Sequence, residues 1–127
     1  MRNIYFPLTK EEAMAISEEE FEKMCVPDER VMIPFKNGVL ADCNIDSLMQ
    51  YLLFRYENAM EFFELEFGAR GVKDIKNRIL KIVVNLGESD IDIYTALPLI
   101  DSSLVIMLLA KRAAREKYTA RKYQKGA

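Results

Sequence analysis

Histidine and tryptophan are both missing from the 127 residues of this chain. Without an imidazole, the commonest general base, the usual catalytic triads and the imidazole metal sites are excluded together. Catalysis would have to rest on carboxylate, lysine, tyrosine or cysteine. Cysteine is scarce as well: Cys25 and Cys43 are the only two, too few for a zinc site or a disulfide framework, and they read as buried free thiols. The five glycines never form the Gly-x-x-x-x-Gly-Lys spacing of a phosphate loop, so Gly68, Gly71 and Gly87 read as helix terminators. No cofactor and no metal are expected. The apolar window from 91 to 110 is interrupted by Asp92, Pro98 and Asp101. A bilayer span needs about 18 apolar residues with few or no charges, so no membrane partner is expected. The first residues carry no signal-peptide pattern, and a cytoplasmic location follows as the default.

What is present is apolar and helix-forming. Half of the residues are hydrophobic and 30% are charged, enough for one modest core and hence one domain over 1–127. Thr9 with Glu12, and Ser17 with Glu20, have the capping-box spacing, so 9–25 reads as helical, as one segment or as two short helices. Asn37-Gly38 between two apolar runs predicts a β-hairpin near residues 31–41, with Pro34 confining its first strand to an edge. Leu48, Leu52, Tyr56, Ala59, Phe63 and Phe67 recur at helical spacing and predict a helix over 46–67, with Gln50, Glu57, Glu61 and Glu64 on another face. Val72, Ile75, Ile79, Val83 and Leu86 predict a second helix over 72–86.

The stretch ESDIDIYTALPLI supports either a strand or a short helix, and the helix is the expectation, since Pro98 argues against any long element crossing it. Asp101, Ser102 and Ser103 then supply N-caps for a last helix. Its first part, LVIMLLA, is apolar all round and should be buried. The fold class expected is mainly α: a compact domain of about four to five helices with a small β-hairpin.

Charge is distributed unevenly. Residues 1–70 hold 7 Lys or Arg and 14 Asp or Glu, whereas residues 71–127 hold 11 and 6. The two halves can meet inside one chain, meet between subunits, or leave the basic half for an anionic partner. The basic C-terminal helix or tail, 111–127, sharpens the last option. Lys111, Arg112, Arg115, Lys117, Tyr118, Arg121 and Lys122 would form a surface able to hold phosphates and stack bases, with Lys73, Lys76 and Lys81 as a second patch. Basic residues near a helix C-terminus also favour the helix dipole with no ligand at all.

Tyr51, Phe54, Met60 and Phe62 widen the apolar surface of the 46–67 helix beyond a single stripe. They are the candidate protein-interaction residues, unless the short N-terminal helix and the hairpin cover them. The functional expectation is a small non-catalytic interaction protein that binds itself, as a homo-oligomer, and a further protein. The alternative is a nucleic-acid or nucleotide binder using the basic tail. A third reading, a carboxylate enzyme at Glu57, Glu61 and Glu64, meets the objection that helical carboxylate metal sites normally add Glu-x-x-His pairs.

Overall fold

A computed structural model describes residues 9–25, 39–40, 44–88 and 91–125, with 119–125 given by backbone alone. The described residues form six helices: α1 (Lys10–Met14), α2 (Glu18–Met24), α3 (Ile45–Arg55), α4 (Glu57–Phe67), α5 (Ala69–Gly87) and α6 (Ile93–Lys125). Mainly α is therefore the fold class.

The two short N-terminal helices start where the capping boxes require. Thr9 Oγ1 accepts from Glu12 N at 3.1 Å while Glu12 Oε1 accepts from Thr9 N at 3.2 Å. Ser17 and Glu20 repeat the exchange at 3.2 Å in both directions. Five- and seven-residue helices are too short to persist alone. They are held because Ala13, Ile16, Phe21 and Met24 are buried, with α1 laid on α4 and α2 on α4 and α6. Phe21 sits between Phe62 and Phe63 of α4, ring centroids 5.3 and 5.6 Å away.

Most of the predicted hairpin lies outside the described residues. Its two described positions do not continue it: Val39 forms an isolated antiparallel bridge with Asp92, and Leu40 N donates to Ile91 O at 3.0 Å. No strand is present among the described residues.

Two further boundaries differ from expectation. The helix predicted over 46–67 divides at Tyr56, where ψ reaches 18° and the fully buried ring turns into the core. The short helix and the last helix, expected as separate elements, are one continuous α6 that passes through Pro98. Proline there removes one hydrogen bond and crowds the carbonyl four residues back. Burial of Ile93, Ala96, Leu97, Ile100 and Leu104 on both sides of it offsets that local cost. The chain from Ile93 to Tyr118 is consequently long and apolar enough, by length and composition, to cross a bilayer, although 44% of its most apolar window is buried against the rest of the protein.

Gly68 ends α4 as predicted, at φ 81°. Gly71 has a different role: it lies inside α5, and a Cβ built on it would stand 2.7 Å from Phe63 O and 2.9 Å from Phe67 Cβ. The absence of a side chain lets α5 lie directly on the backbone of α4. Gly71→Ala should therefore destabilise the protein by about 1–3 kcal/mol, as overpacking does. Urea unfolding checks this: the midpoint should fall at unchanged slope, and an unchanged midpoint would mean that the two helices do not approach this closely.

Candidate functional site

Helix α6 has two chemically different sides. The inner side holds three polar anchors. Near the middle, Tyr56 Oη donates to one oxygen of Asp101, and Arg55 Nη2 donates to the other at 3.2 Å. Further along, Arg112 Nε and Nη2 reach the two oxygens of Glu66 at 2.7 and 2.9 Å, a forked pair, and Arg115 Nη2 adds a third bond at 3.0 Å. The Glu66 side chain has no exposure at all. Arg112 also donates to the carbonyls of Ile16 and Ala13, at 2.8 and 3.3 Å, and its guanidinium lies over the Phe62 ring at 5.8 Å. One cation thus closes the C-terminal end of α1, neutralises a buried carboxylate of α4 and fixes α6. Between these anchors in the third, Lys111 Nζ donates to Asp74 of α5 at 2.6 Å, and this bond holds the Asp74 carboxyl below its ordinary pKa.

The first cations of the basic tail are therefore committed within the chain. Lys111, Arg112 and Arg115 meet Asp74 and Glu66, and the Glu66 pairs join the acidic half to the basic half inside one molecule. Lys117 and Tyr118 are exposed. Arg121 and Lys122 lie on the helical backbone of α6, outside the described side chains. An open groove of about 320 Å³ between α5 and α6 is lined by Asp74, Asn77, Arg78, Lys81, Met107 and Lys111. Of the second basic patch, this groove takes in Lys81, while Lys73 and Lys76 stand exposed elsewhere on α5.

The candidate interaction residues separate in the same way. Tyr51 and Phe62 are buried and Met60 packs against the core, whereas Phe54 remains 61% exposed. Phe21 of α2 covers Phe62, with ring centroids 5.3 Å apart, while α3, which carries Tyr51, packs on α4 and α5. Glu57 and Glu64 are solvated and Glu61 is half-buried.

The outer side of α6 is the unexpected surface. LVIMLLA is not buried all round: Leu104, Val105, Met107 and Leu108 are in the core, while Ile106 is 66% exposed and Leu109 42%. With Leu99, 51% exposed, and exposed Ser102 and Ala113, they make a stripe spaced three and four residues apart. At a rise of 1.5 Å per residue it runs for roughly 20 Å. No charged residue falls on this line between Leu99 and Ala113.

Asp101, expected with Ser102 and Ser103 to cap a last helix, instead lies inside α6 and accepts from Tyr56 and Arg55; Glu66 was not anticipated, although a signal for it was present. It stands among Ala59, Phe62 and Phe63 on the apolar side of α4, and a carboxylate on a core-facing stripe requires a buried cation. The chain matches no known protein family, no curated protein and no solved structure. Its function is read from this geometry.

Two outcomes test the anchors. Arg112→Ala would leave Glu66 buried and without its forked partner, costing about 3–5 kcal/mol, whereas Lys117→Ala should stay within about 0.5 kcal/mol of the parent; denaturant unfolding of both distinguishes them. The second outcome concerns pH. Burial first, and Asp101 second, push the Cys25 thiol up to about 12 from 9.0, and the same two causes raise the Tyr56 phenol above its ordinary value. Groups raised in the folded state bind fewer protons once unfolded, so their contribution is complete below the unfolded pKa and is lost as pH rises through the folded one. Stability should accordingly fall between about pH 9 and 12, less steeply in Cys25→Ala, as measured by urea midpoints across that range.

Proposed function

We propose that this protein is a non-catalytic interaction protein that acts by protein–protein binding through the outer face of α6, and that it is homo-oligomeric. The observation that carries the proposal is the exposed, uncharged stripe of Leu99, Ser102, Ile106, Leu109 and Ala113 on a helix whose opposite side is already anchored. A continuous exposed apolar surface favours association, because water is released from it. The inner anchors support the same reading: they hold α6 rigid, so the stripe is presented without ordering cost at the moment of binding.

An alternative function, binding of a nucleic acid or nucleotide, draws support from the α5/α6 groove, where Arg78, Lys81 and Lys111 approach one another. It differs from the first in salt response, since each neutralised phosphate releases counterion and affinity falls steeply with salt.

Sedimentation velocity of the full chain tests the proposal. Self-association should persist as salt rises, and Ile106→Glu, a change at an exposed position that the monomer accommodates, should weaken it by roughly 100-fold, as loss of a central contact does. A chain that stays monomeric at all concentrations, or sediments only with added lipid vesicles or nucleic acid, would overturn it.

A further inference from the structure

Resting on that reading, the occupant and its orientation follow from the composition of α6. We infer that the outer face of α6 pairs with the same face of a second copy, antiparallel, about a two-fold axis at Ile106. Side-chain size is the first reason. The two ends of the stripe differ in size: Leu99 precedes Ile106 by seven residues and Ala113 follows it by seven. Antiparallel pairing about Ile106 sets Leu99 of each copy against Ala113 of the other, large against small, which is how facing helices interdigitate. Parallel pairing would set Leu99 on Leu99 and leave Ala113 facing Ala113 across a gap.

Charge is the second and independent reason. The approach to α6 holds Glu88 and Asp92, and beyond the internally paired Lys111, Arg112 and Arg115 its far end carries Lys117, Arg121, Lys122 and Lys125 against Glu116. In a parallel pair the two basic ends would run side by side. In the antiparallel pair the acidic approach of one copy lies along the basic end of the other, with exposed Lys117 within a helical turn of the position facing Asp92. Like charges in register disfavour the first arrangement and opposite charges select the second. The stripe supplies the binding and the charged ends set its direction.

Engineered cysteines read the register directly. The background carries Cys43→Ser; Cys25 is buried, and burial keeps it protonated and unreactive. In full-length protein under mild oxidation, Ile106→Cys should form a homodimer disulfide, because the two-fold axis brings its two copies within bonding reach. Leu99→Cys and Ala113→Cys should each cross-link poorly alone, and about tenfold faster when mixed with one another, since only the mixture supplies the required Cα approach. If Leu99→Cys and Ala113→Cys link to themselves as readily as Ile106→Cys, the pair is parallel: the inference fails and the proposed function survives. If oligomers form but none of the three cross-links, α6 is not the interface, and the inference fails together with the α6 reading. A strictly monomeric parent chain removes the proposed function first.

Discussion

The Glu66–Arg112 pair is the interaction on which the rest of this structure depends. A carboxylate with no solvent exposure is tolerated only when a cation with matching geometry replaces the lost water. Arg112 provides that with a forked pair, and its remaining donor capacity goes to the carbonyls at the end of α1. Since α1 is only five residues long and has no basic residue in its last turn, the cation that stabilises its carbonyl end comes from a helix nearly a hundred positions away in sequence. The N-terminal helices, α4 and α6 are thus joined at one point. Arg115 and Phe62 reinforce it without being able to replace it.

Fixing α6 along one side has a consequence for the other. Asp101 holds its middle through Tyr56 and Arg55, and Lys111 ties it to α5. The helix cannot rotate to bury Leu99, Ile106 and Leu109 without breaking these polar contacts, which would leave the buried Glu66 carboxylate and Tyr56 hydroxyl unpaired. Exposure of the stripe is the price of the anchors. One helix thus carries a polar, anchored inner side and an exposed apolar outer side.

Much of this architecture was legible beforehand. The capping boxes at Thr9 and Ser17, the helical period of α3, α4 and α5, and the stop at Gly68 are local features. Each is decided by residues within one or two turns of one another, and each appears in the structure. The candidate site was far less legible. Tyr51, Phe54, Met60 and Phe62 share one apolar surface in sequence, and only the packing of α1 and α2 on α4, and of α3 on α4 and α5, separates buried Tyr51 and Phe62 from exposed Phe54. In the tail, Arg112 and Lys117 are equivalent as sequence symbols, yet one is enclosed and the other faces solvent.

By itself the sequence determined a single, mainly helical chain without imidazole chemistry, with its charge polarised between two halves, because composition and short-range periodicity suffice for those conclusions. The tertiary structure alone decided that α6 runs unbroken through Pro98, that Gly71 is a contact point rather than a terminator, that the first tail cations are internal, and that LVIMLLA is buried on one side only. The reason is common to all four. Each depends on which distant segment lies opposite, and that is settled by the joint packing of α1, α2, α4, α5 and α6 rather than by any window of the chain.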